Sequence, residues 1–170
     1  GHPDAPVLSV LAAFLRNGFL HRSIREQGGA YGGGASHDPN IAAFRFFSYR
    51  DPRLVETLTD FDAAITWLLD TQHEQLALEE AILSVMASLD KPGSPAVEAK
   101  RDFHERLFGR TAEHRKQLRA GIANTRIEDL RRVTEIYLRP ELASTAVITH
   151  TAGAEIIAEQ GLTFTRQELL

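Results

Sequence analysis

Arg25-Glu26-Gln27-Gly28-Gly29-Ala30-Tyr31-Gly32-Gly33-Gly34-Ala35 sets five glycines around one tyrosine. Glycines this dense are entropically costly, and they mark a place where another backbone or a ligand comes close. On the N-terminal side, Val7, Val10, Leu11, Phe14 and Ile24 recur at helical spacing, so one helix is expected from about Asp4 to Gln27. Asp4 and Pro6 supply its start, and Gly28-Gly29 its stop. On the C-terminal side, Tyr31 to Ala35 reads as a short extended run. Ser36 to Asn40 carries turn chemistry. Ile41 to Tyr49 reads as a strand, with Phe44 and Phe46 on one face and Phe47 and Tyr49 on the other. The glycine-rich stretch therefore joins a helix to a β-hairpin.

Beyond the hairpin the pattern is helical. Asp51-Pro52 opens a helix from about Arg53 to Asp70. Thr71-x-x-Glu74 and Thr125-x-x-Glu128 are capping-box patterns for helices reaching Asp90 and Leu138. Ser94-Pro95 and Thr111 start two more, to about Phe108 and Asn124. Ala143 to His150 is β-rich and reads as a third strand; Ala154 to Gln160 follows as a short helix, and 162–165 as a possible last strand. The fold class is α+β: a small antiparallel sheet packed with about six helices. So few strands cannot cover so many apolar helix faces, which points to further strands upstream of Gly1.

The chain has 170 residues, 43% hydrophobic and 25% charged, as expected of one soluble globular domain spanning 1–170. A net charge of −4 argues against nucleic acid as a partner. No run approaches the ~18 apolar residues of a membrane span. There is no cysteine, which excludes disulfides and thiolate metal sites but leaves the compartment open. No signal-peptide pattern opens the chain. It starts at Gly1 rather than at a methionine, and its one methionine is Met86, so a cut-down fragment or a processed product is expected.

Most catalytic patterns fail on context. The glycines follow a helix and precede a strand, the reverse of a phosphate-binding loop, and no Lys-Ser/Thr pair follows them. His73-Glu74 and His104-Glu105 lack a second histidine at metal-binding spacing, so no metal site is expected. Ser36-His37-Asp38 is serial rather than spatial, and reads as a turn. Arg25 and Tyr31 remain. Beside Gly32, Gly33 and Gly34 a side-chain-free shelf would let an extended peptide lie close. A phenol there can donate to a carbonyl oxygen as it gains charge, and a guanidinium can grip backbone carbonyls.

The run Ile24 to Ala35 resembles a signature of the C-terminal half of the pitrilysin/insulinase zinc metallopeptidases, in the presequence-protease branch. Phe47 to Pro52, Ala87 to Pro92 with Ser94-Pro95, Leu107 to Thr111 and Arg126 to Leu130 are similar to that branch in order and spacing. The resemblance implies a LuxS/MPP-like metallopeptidase domain, truncated at its N-terminal strands. It further implies two enzyme halves closing around a peptide chamber, with zinc and its inverted motif on the N-terminal half. By position Tyr31 would be the catalytic oxyanion donor, and Arg25, Tyr31, Gly32 and Gly33 the substrate-binding residues. Substrates would be short unfolded peptides. This chain lacks the zinc motif, so its partner would be the N-terminal catalytic half of the same polypeptide, and it should be inactive alone. The compartment would be the bacterial cytoplasm or a eukaryotic organelle matrix. A non-catalytic peptide-binding or scaffold relative is the alternative, and a small nucleotide-binding domain a third reading.

Overall fold

A computed structural model describes residues 2–159 and 164–165. Among these residues the chain forms a two-stranded antiparallel sheet and seven α-helices, an α+β fold. Helix α1 (Ala5–Leu15) is the hub: Val10, Leu11, Phe14 and Leu15 are all but fully buried. It packs against strand β1 (Gly32–Asp38) and helices α2 (Val55–Asp70), α3 (Gln75–Asp90), α5 (Ala112–Ala123) and α6 (Ile127–Tyr137). Strand β2 (Ala43–Tyr49) pairs with β1 from Gly32 opposite Tyr49 to Asp38 opposite Ala43. Phe46 stacks on Phe61 of α2 at 5.4 Å, so the aromatic face expected for β2 is the one that meets the helices. Helix α4 (Pro95–Leu107) buries no residue, and α7 (Thr151–Glu159) ends the described helices.

The expected single helix to Gln27 is two helices of different winding. After Leu15 the backbone continues as a π-helix, Arg16–Gln27, an unusually long run for a form seen mostly as single turns. The physical reason lies in the side chains. An α-helix continued from Phe14 and Leu15 would turn Asn17, Gly18, His21 and Arg22 inward. The wider winding instead buries Leu20 and Ile24 completely, five and nine residues after Leu15. Gly18 faces Trp67 so closely that a Cβ would sit 2.5 Å from the indole ring.

Other boundaries shift for local reasons. Strand β1 runs through Ser36 and His37, and the turn begins only where Asp38 Oδ1 accepts from the Asn40 amide at 2.9 Å. Thr71 does not cap α3: it closes α2, and α3 begins four residues later, at Gln75. At α6 the cap is displaced by one residue. Thr125 is buried and donates back to the Gly121 carbonyl, while Asp129 accepts from the Arg126 amide. Ser94 and Thr111 cap α4 and α5 as expected.

The expected strand at 143–150 is absent. Those residues follow a short 3-10 turn (Pro140–Leu142) and have no regular structure, with Ile148 87% exposed. A β-rich segment needs a ladder partner, and no strand among the described residues lies beside this one. Of the expected last strand, residues 162–163 lie outside the described residues and 164–165 have no regular structure.

Candidate functional site

The π-helix ends at Gly28, and Gly29 takes a left-handed φ of +79° that returns the chain toward the sheet. Tyr31 follows at the root of β1, its amide donating to the Arg50 carbonyl at 3.2 Å. Its ring is 63% exposed, and its hydroxyl has no hydrogen-bond partner among the described residues. The neighbours of that ring are the Tyr49 ring at 5.7 Å and the Arg50 guanidinium at 5.3 Å. Arg25 reaches the surface from the last turn of the π-helix. Arg25 and Tyr31 line one shallow, open depression of about 310 Å³ together with His21, Glu26 and Ala30.

Within the depression His21 sits between two charges. Arg25 Nη1 approaches His21 Nε2 at 3.2 Å, and His21 Nδ1 lies 3.3 Å from Glu26 Oε1. Guanidinium can only donate, so Nε2 accepts and Nδ1 carries the proton toward Glu26. Arg25 is therefore held by a single neutral acceptor, and its other donors are available to a ligand.

The glycines do something different from the shelf expected of them. A Cβ on Gly32 would sit 2.3 Å from the Tyr49 ring, and one on Gly33 would sit 2.7 Å from Ile24 Cγ2. One on Gly34 would meet the Arg16 stem at 2.6 Å. The space left by the missing side chains is filled by the protein itself, and Gly32 is buried. Gly32 and Gly33 thus let Tyr49 and the π-helix close on β1, and the open surface lies one step earlier, at Ala30 and Tyr31. Gly28 serves the same end on the helix side, where a Cβ would collide with the Arg53 guanidinium. That guanidinium donates to the Ser23 carbonyl at 3.0 Å and to Asp60 Oδ2 at 2.8 Å, fixing the end of the π-helix to α2.

His21, Glu26 and Arg50 are the site residues that the pattern reading passed over. His21 and Arg25 are four apart on a helix, a spacing that predicts contact. Arg50 is recognisable only once the hairpin register places it across from Tyr31.

Elsewhere the histidines have structural partners. His73 contacts the Leu68 carbonyl and the rings of Phe14 and Trp67. His37 Nδ1 lies 3.0 Å from Ser9 Oγ, but the Ser9 hydroxyl donates to the Ala5 carbonyl. The imidazole is then the donor of the pair, which is the wrong sense for activating a nucleophile. Among the described residues no group of three or more His, Asp or Glu gathers closely enough to hold a metal ion, so they do not fit a zinc site.

A family model described as the PreP C-terminal domain matches residues 1–151. The chain belongs to the PreP C-terminal domain family. Relatives named mitochondrial presequence protease agree. That of Eremothecium gossypii is 37% identical over 163 residues, 94% of this chain and 16% of its own length. That of Yarrowia lipolytica is 39% identical over 137 residues, covering 81% of this chain and 14% of its own length. The Mus musculus protein is 36% identical over 136 residues, 80% of this chain and 13% of its own. The PreP C-terminal domain described here therefore spans roughly a seventh of the curated relatives it matches. No helix among its described residues is long and apolar enough to cross a membrane.

Proposed function

We propose that this PreP C-terminal domain supplies the substrate-gripping and oxyanion-stabilising edge of a zinc metalloendopeptidase of the pitrilysin/insulinase type. The enzyme would degrade short unfolded peptides, and this domain would close its chamber. The observation that carries the reading is the placement of Tyr31 and Arg25 on one open depression, each with donors left over. The Tyr31 hydroxyl donates to the scissile carbonyl oxygen as negative charge builds there. Arg25 donates to neighbouring backbone carbonyls and fixes the register of the bound peptide. Gly32 and Gly33 act at one remove, by letting β1 and the π-helix approach until the two functional side chains share a rim. Zinc has no fitting donor set among the described residues, so its ligands belong to another part of the longer polypeptide. The partner is the N-terminal half that carries them.

The test is Tyr31→Phe in the full-length protein. Loss of one oxyanion donor lowers kcat by about 10²–10³-fold in well-studied cases. A fall of that order in peptide turnover, with zinc content unchanged, is the expected result. Unaltered turnover removes the assigned role.

A further inference from the structure

Tyr31 raises a problem of positioning. A catalytic donor must be held within a fraction of an ångström of its productive place. Yet this ring is mostly exposed and its hydroxyl is bound to nothing among the described residues. What orients it must act on the ring itself.

We infer that Arg50 is a positioning residue for Tyr31: its guanidinium lies over the phenol ring and fixes the direction in which the hydroxyl points. Resting on the reading of Tyr31 as a carbonyl donor, the assignment has three supports. The guanidinium carbon is 5.3 Å from the ring centroid, within cation–π range. The Arg50 carbonyl accepts from the Tyr31 amide, so main chain and side chain of one residue hold both ends of the other. Arg50 also adopts a left-handed φ of +47°, a conformation that costs a non-glycine residue stability and gathers at functional sites. Glycine would be the unstrained choice here. The arginine sits instead where its side chain can reach across the base of the hairpin. Tyr49, 5.7 Å away, closes the other flank of the ring, and Gly32 has no Cβ because that flank is occupied.

This arrangement predicts a separation that an ordinary structural residue would not give. In the full-length protein, Arg50→Gly removes the cation but accepts the left-handed backbone freely. The melting temperature is expected to hold or rise while kcat falls about two- to fivefold, the range an exposed cation–π contact supports. KM should change little. Arg50→Lys keeps a cation on a flexible stem and should recover part of kcat. In a Tyr31→Phe background, Arg50→Gly should cost almost nothing further, because no hydroxyl remains to be aimed. Full turnover in Arg50→Gly, a loss only in step with the melting temperature, or equal losses with and without the Tyr31 hydroxyl would each overturn the assignment. If Tyr31→Phe is itself without effect, the underlying reading falls and Arg50 with it. If Tyr31→Phe is severe and Arg50→Gly neutral, only the Arg50 assignment is lost.

Discussion

Two arginine–tyrosine pairs lie at different corners of the molecule, and they are chemically opposite. At one corner Arg132 makes two hydrogen bonds to the Asp4 carboxylate, at 2.6 and 3.2 Å, and the Tyr137 hydroxyl donates to the same carboxylate at 2.7 Å. That trio ties the first turn of α1 to α6. The Arg132 guanidinium holds Asp4 below the ordinary carboxylate range, and the Asp4 carboxylate pushes Tyr137 and Arg132 up. At the other corner Arg25 touches only a neutral imidazole nitrogen, and the Tyr31 hydroxyl has no partner among the described residues. Residue type alone does not separate the two. The difference is where the carboxylate is directed: that of Asp4 takes up the donors of Arg132 and Tyr137 and holds helices together, whereas that of Glu26 faces His21 and leaves the Tyr31 hydroxyl and most of the Arg25 donors without a partner among the described residues.

The sharpest way to break this contrast is to remove both hydroxyls in turn from the full-length protein. Tyr31→Phe is expected to lower turnover by about 10²-fold or more. Tyr137→Phe should leave kcat unchanged and affect only stability. Equal effects on turnover would erase the distinction. Next in size is Gly33→Ala, which drives a methyl toward Ile24 Cγ2 and the Phe47 carbonyl. Overpacking of this kind costs about 1–3 kcal/mol, visible as a lowered midpoint in chemical denaturation. Gly109→Ala, with φ +65° but nothing within 4 Å of its Cβ, serves as the control for backbone strain alone.

A smaller effect belongs to the Asp4 corner. A carboxylate whose folded pKa is depressed stabilises the fold fully above its ordinary value of 3.8, and loses that contribution as pH falls through the lowered value. Asp4→Asn should therefore melt lower than the parent at neutral pH, and the two should converge in strong acid. Smallest is His37. Burial pushes its imidazole below the ordinary 6.5, against the pull of Asp38 and with a small push from His2. Below 6.5 the unfolded chain then takes up the proton more readily than the folded one, so stability drops as pH falls. His37→Gln should flatten the slope of melting temperature against pH between about 7.5 and 5.5; an unchanged slope would show that the imidazole does not contribute.

Much of this arrangement was readable in the residues. Ser94-Pro95 and Thr111 announce their helices because a hydroxyl at the N-cap acts locally, on an amide three residues away. The aromatic alternation of β2 gives its buried face for the same reason. Arg25 and Tyr31 stand out because glycines frame them. What escaped depends on distant partners. Asp4 looks like a local cap and is instead bound by Arg132 and Tyr137. The stretch 143–150 has strand chemistry and no neighbour to pair with. The π-helix is hinted at by Asn17, Gly18 and His21 where apolar residues should fall, but the alternative winding becomes evident only when Trp67 occupies the space beside Gly18. The glycines after Tyr31 suggest a ledge for another backbone or a ligand, and the space is filled instead by the side chains of Tyr49, Ile24 and Arg16, which lie on the other strand or on the π-helix.

The central place of α1 has a consequence for how this domain is made. It is the earliest of these helices to leave the ribosome, and its surroundings are completed only when α6 arrives. Until then a rod bearing Val10, Leu11, Phe14 and Leu15 is only partly covered, the kind of exposed surface on which nascent chains aggregate and chaperones act.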